Sequence, residues 1–174
     1  MKRVAGARYV GKADVVESPD GDWLGDRVNC SCGVKYKVVA KTCTVRILIN
    51  DLYQPTEKSG SSIHYSIWEH ESLHIENFAE AFRQIKALYD EGAAWCICGD
   101  CDRHRKQYLF SMEMSIRSLE HSRNLALHVY DYEALAEEKR AAKAKKEADE
   151  FEAKAKEAKQ ALDVCQATAR GGKQ

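Results

Sequence analysis

Apolar and polar positions change rhythm twice along the chain. From Arg8 to about Tyr53, β-branched residues alternate or cluster in short runs. Val10, Val15 and Val16 come first, then Val34-Lys35-Tyr36-Lys37-Val38-Val39, then Thr42-Cys43-Thr44-Val45-Arg46-Ile47-Leu48-Ile49. Such runs, bounded by turn residues like Ser18-Pro19-Asp20-Gly21-Asp22, predict short strands. After a loop at Gln54-Pro55-Thr56-Glu57-Lys58-Ser59-Gly60, the rhythm becomes helical. Between Ile63 and Glu91, the residues Ile67, Leu73, Ile75, Phe78, Phe82, Ile85, Leu88 and Tyr89 recur mostly at three- and four-residue spacing. A Gly- and Cys-containing loop from Gly92 to Asp102 precedes a second helix starting near His104. Its buried face is marked by Leu109, Met112, Ile116, Leu119, Leu127 and Tyr130. The two helices are expected to form an antiparallel hairpin.

From Glu133 to about Gln166 the chain is nearly all Ala, Glu and Lys, with Leu135, Phe151 and Leu162 as sparse apolar points. This predicts a long, mostly solvated helix supported by i,i+4 charge pairs. The expected fold is therefore α+β. A small N-terminal β-sheet packs on the first helix and its antiparallel partner across residues 1–132, and residues 133–174 form a long C-terminal helical extension. An arm that buries little of itself suggests a protein partner or self-association.

Composition narrows the function. The 174 residues carry 27 basic and 27 acidic side chains, a formal net charge of zero, which gives no basis for electrostatic capture of nucleic acid or of a membrane surface. No apolar run approaches the length of a membrane-spanning helix. Met1-Lys2-Arg3-Val4-Ala5-Gly6 has a charged start without the apolar stretch of a signal peptide. Seven cysteines point to an oxidising destination, extracellular or in a virion, or to bound metal.

The sharpest chemical pattern is His70-Glu71-Ser72-Leu73-His74, an H-E-x-x-H sequence inside the first helical segment. On a helix, residues at i and i+4 share a face, so two imidazoles can hold one Zn²⁺, and the intervening glutamate is placed to act as a general base. His70 and His74 are the expected zinc ligands and Glu71 the expected catalytic residue. Counting equal distances from the hairpin turn sets His74 level with Glu120 and His70 level with Asn124. Glu120 is accordingly the expected third ligand, with Glu113 and His121 behind it; a polar contact from Glu120 to Arg117, Arg123 or Asn124 is the competing reading. His128 and His64 have no such argument behind them, and Tyr130 and Tyr132 are candidate oxyanion donors.

With these residues the chain resembles the zincin superfamily of metallopeptidases, most closely the small secreted zinc proteases of bacteria and phages. The resemblance spans about Arg8 to Tyr132, and its specific part is His70 to His74. It implies hydrolysis of a protein or peptide substrate, with His70 and His74 as ligands and Glu71 as base. The metzincin continuation does not carry over: it would put glycine and histidine where this chain has Asn77 and Glu80.

The cysteines form two groups, Cys30, Cys32 and Cys43, then Cys96, Cys98 and Cys101, with Cys165 apart. Disulfides tying the N-terminal strands to the hairpin loop are expected ahead of a closed thiolate zinc site. Each would close a loop of about 65 residues and contribute roughly 4 kcal/mol in the chain-entropy treatment. The functional expectation is a zinc-dependent hydrolase of peptide or peptidoglycan amides. The rival is a structural or assembly protein, for instance of a virion, with a vestigial or stabilising zinc site. A thiol-based metal or redox module is a third, weaker reading.

Overall fold

The computed structural model describes residues 2–5, 11–18, 22–58, 65–128 and 134–171. It is an α+β chain whose six strands are β1 (Lys2–Val4), β2 (Gly11–Ser18), β3 (Leu24–Asn29), β4 (Gly33–Val38), β5 (Thr42–Asn50) and β6 (Ile97–Cys98). The helices are α1 (Ile67–Ala94), α2 (Asp102–Ala126) and α3 (Ala134–Gly171), with a 3₁₀ turn at Gly99–Cys101 before α2. The expected single sheet is resolved into two three-stranded sheets, ordered β1-β5-β2 and β3-β4-β6. Each belongs to its own compact unit, and each helix contributes residues to both units.

The first unit comprises residues 1–18, 42–82 and 119–145. Strand β5 pairs in parallel with β1 and antiparallel with β2, with Ala13 opposite Ile47. Ile47, Ile49 and Ile67 form its buried cluster, with Tyr53 and Ile75 packed against them. The start of α1 is set by a capping box. The Glu69 amide donates to Ser66 Oγ at 3.2 Å, and the Ser66 amide donates to Glu69 Oε2 at 2.8 Å.

The second unit comprises residues 19–41, 83–118 and 146–174. Its sheet is tied by Cys30–Cys96 and Cys32–Cys98, and Cys101 is bonded to Cys165. The first two bridges are of the expected kind, strand region to hairpin loop. Cys43 lies outside the three bridges, and the seemingly isolated Cys165 takes up Cys101 instead. Sequence spacing carries no information on such pairing. At Gly33 the backbone passes so near β6 that an added Cβ would lie 1.9 Å from the Ile97 carbonyl oxygen. Arg105 is wholly buried and joins the ends of both helices of the hairpin. It donates to Asp102 Oδ1 through Nε at 2.9 Å and to the Trp95 carbonyl at 2.7 Å, and its guanidinium lies over the Tyr36 ring.

The Ala/Glu/Lys extension is one helix of 38 residues. Its buried face is a stripe of small residues, Ala144, Ala148, Ala155 and Ala158, closed by Leu162. Alanine lets helices approach closely, and serine hydroxyls on α2 use that closeness. Ser122 Oγ donates to the Ala141 carbonyl at 2.8 Å in the first unit, and Ser115 Oγ to the Ala148 carbonyl at 2.9 Å in the second. The sparse apolar residues at the sequence level understated this contact because alanine reads as neutral in periodicity.

Among the described residues no helix is long and apolar enough to cross a membrane. The three disulfides fit an extracellular destination.

Replacing Arg105 by Met takes from Asp102 its buried cationic partner, leaving Lys106 and the Tyr36 hydroxyl, and is expected to lower unfolding free energy by about 3 kcal/mol. Urea denaturation checks this, and a midpoint equal to wild type would show that the pair contributes nothing to holding the hairpin.

Candidate metal centre

The capping box at Ser66 starts α1 one turn before His70, so His70 and His74 lie on one face in consecutive turns. Both face inward: His70 is 2% exposed and His74 half-buried. Their Nε2 atoms stand 3.1 Å apart. The third imidazole is His128, which follows the end of α2. The Leu127 amide donates to the Asn124 carbonyl and the His128 amide to the Leu125 carbonyl, and this tightened turn returns His128 to the group. One nitrogen from each of His70, His74 and His128 lies within 4.8 Å of the other two, a set able to hold a metal ion.

His74 Nδ1 stands 3.1 Å from Asn124 Oδ1, which also accepts from Asn77 Nδ2 at 2.9 Å. Asn124 Nδ2 in turn donates to Glu120 Oε1. With the amide in this orientation, His74 carries its proton on Nδ1, and its Nε2 lone pair is left for the cluster. If His70 Nε2 is the donor across the short contact, its Nδ1 becomes a buried acceptor. That atom has no hydrogen-bond partner among the described residues. A cation among the three rings would take the place of that shared proton, each ring then presenting a lone pair inward and His70 carrying its proton on Nδ1.

Electrostatics point the same way. Burial, with His74 and His128 close by, pushes His70 down to about 4. Burial likewise lowers His74, against the opposing hydrogen bond from Asn124. Neutral imidazoles are the form that binds metal.

Glu71 is buried at the floor of a cleft of about 390 Å³, whose lining also includes His74, His128, Glu120, Ala13 and Phe78. Burial pushes its carboxyl up, opposed by the Ala13 amide donating to it. Space for this carboxylate depends on Gly11, where a Cβ would come 2.9 Å from Glu71 Oε1 and 2.7 Å from Ile67 Cγ2.

The sequence-predicted residues sort as follows. His70, His74 and Glu71 come together as the motif requires. Glu120 lines the cleft but lies outside the converging nitrogens and meets Asn124, the competing contact foreseen for it. The count along the hairpin was short by one turn: α1 runs to Ala94, beyond Glu91, and His74 meets Asn124. Glu113 belongs to the second unit, where it accepts from Tyr89 Oη at 2.8 Å and Arg117 Nε at 2.9 Å. His121 is exposed and Glu80 half-buried, and both are outside the group. His64, Tyr130 and Tyr132 lie outside the described residues. His128 was missed because the apolar rhythm appeared to continue through Tyr130, which would have set it on a helical face. Of the cysteines, Cys30, Cys32, Cys96, Cys98 and Cys101 are in bridges in the second unit.

No protein-family model matches the chain, nor does any curated protein or solved structure.

Between the ordinary histidine value near 6.5 and about 4, the unfolded chain binds a proton at His70 that the folded chain refuses. The metal-free protein should therefore lose stability as pH falls through that window, relative to a His70→Gln variant. Paired urea titrations give this difference; a constant gap across the window would show that His70 titrates normally. Asn124→Leu removes the support of His74 and should weaken metal binding by about tenfold to a hundredfold in a competition titration.

Proposed function

We propose that this chain is a zinc-dependent hydrolase acting on a peptide or peptidoglycan amide, with His70, His74 and His128 holding the ion and Glu71 as general base. The observation that carries the reading is the convergence of one nitrogen from each of three imidazoles beside a cleft that His74 and His128 line together with Glu71, a buried carboxylate from the same helix turn as His70 and His74. Three nitrogen donors leave one position of a four-coordinate site open, the composition of catalytic rather than closed structural zinc sites. When bound, zinc supplies Lewis acidity toward a carbonyl oxygen and toward water.

The remaining work falls to the chain itself. Glu71 takes the proton of the attacking water and passes it to the leaving amine. Burial raises its proton affinity toward neutrality, where a general base serves best, while the Ala13 amide fixes one oxygen so that the carboxylate keeps one orientation. Asn124 holds His74 in the tautomer with a free Nε2, and Glu120 holds Asn124.

Wild-type protein purified without added metal should hold about one zinc per chain, and His70→Ala/His74→Ala and His128→Ala should hold markedly less. Glu71→Gln should keep the zinc while hydrolysis of a fluorescent peptide library falls by about a hundredfold or more. Zinc retained in both histidine variants would remove the site. Zinc bound with no turnover sensitive to Glu71 would transfer the site to the stabilising role of the rival reading.

A further inference from the structure

The second unit holds a sulfur cluster that the reaction does not use. Cys30 and Cys32 flank one residue in the β3–β4 hairpin loop, and Cys96 and Cys98 flank one residue at β6. The strands pair with Gly33 opposite Cys98 and Val34 opposite Ile97, so the two C-x-C segments face each other. The two bridges are thereby adjacent, and Cys32 Sγ lies 3.7 Å from Cys96 Sγ, its partner in neither bridge. A zinc–sulfur distance of about 2.3 Å puts the sulfurs of a tetrahedral tetrathiolate site about 3.8 Å apart. The Cys32 and Cys96 sulfurs are already at that spacing.

We propose that, when its bridges are reduced, the quartet Cys30, Cys32, Cys96 and Cys98 binds a single Zn²⁺ as a closed structural site. The reductant is a dithiol, whose two sulfhydryls close to a disulfide for each bridge opened. Two such exchanges break both S–S bonds and leave four thiols, with the electrons and protons coming from the dithiol. Coordination of Zn²⁺ then displaces the four thiol protons.

The surroundings suit a doubly negative zinc–thiolate centre. A cleft of about 470 Å³ reaches Cys96 and is lined in addition by Lys159, Arg170 and one opposing carboxylate, Asp163. It sets Arg170 and the Lys159–Asp163 pair beside Cys96, a net positive rim. The Cys96 carbonyl is held by Gln166 Nε2 at 3.4 Å, which fixes this segment independently of what its sulfur binds.

The physical need is also plain. Strand β6 has two residues and pairs with β4 at two positions, too few to hold it by hydrogen bonds alone. A cross-link adds to the burial of Ile97 in holding it, and either disulfides or zinc can supply one. The chain would then keep one fold in a reducing and in an oxidising compartment.

The test uses the full-length chain carrying His70→Ala/His74→Ala, so that it stands or falls apart from the hydrolase reading. The protein is reduced anaerobically with a phosphine, exposed to zinc chloride, freed of excess metal and assayed. The reduced protein should retain about one zinc per chain and the oxidised protein none. Adding Cys32→Ser/Cys98→Ser should abolish retention, and adding Cys43→Ser/Cys101→Ser/Cys165→Ser should leave it intact. Cobalt in place of zinc should give the intense absorption of tetrahedral thiolate ligation in the parent, a readout independent of how the variants fold. No zinc on the reduced parent, cobalt without those bands, retention after loss of Cys32 and Cys98, or loss with the other three cysteines each overturns the proposal.

Discussion

Three imidazoles placed within contact of one another and largely cut off from water cannot all be charged, and that constraint organises the first unit. Burial holds His70 and His74 in the neutral form, and their facing Nε2 atoms then need a proton or a cation between them. Lone pairs at hydrogen-bonding distance repel unless a proton or a cation lies between them. The capped helix start, the tightened turn after α2 and the Glu120–Asn124–His74 chain of contacts all serve to hold that unfavourable arrangement in place. Ile47, Ile49 and Ile67 supply the apolar burial that offsets it.

Much of this was legible in the sequence because its periodicities are local. Strand-like alternation before the loop, helical spacing after it and the H-E-x-x-H pattern each depend on residues a few positions apart. Ser66-Ile67-Trp68-Glu69 also spells a capping box, a readable marker of where α1 begins. The features that escaped depend on distance along the chain. Strands β3 and β4 join β6 rather than β5, and β6 is too short to leave a rhythm. His128 takes part because α2 ends at Ala126, and an apolar pattern does not report a helix end without a Gly or Pro to mark it. The Cys101–Cys165 bridge depends on where α3 runs, which alanine-rich sequence does not specify.

The two units are held by different means. The first relies on isoleucine packing and on polar contacts around the histidines. The second buries larger side chains, among them Trp23, Tyr36, Ile85, Tyr89, Leu109 and Leu162, and adds three covalent ties, an Arg105 network and the close backbone approach at Gly33. Cross-links lower the entropy of the unfolded chain and so add to what that burial contributes. The histidine group thus lies in one unit and the three disulfides in the other.

Gly11 has a consequence that reaches beyond the room it makes. Glycine inside a strand weakens it by roughly 0.5–1 kcal/mol relative to alanine, so β2 begins at a point of low local stability. The same stretch of β2 supplies the Ala13 amide and covers the Glu71 carboxylate. Each time this end of the strand frays, the carboxylate meets water and its proton affinity falls back toward that of an ordinary glutamate. The proton affinity of Glu71 is therefore tied to how often one end of this strand opens, and a change in strand stability would register as a change in the pH at which its carboxyl titrates.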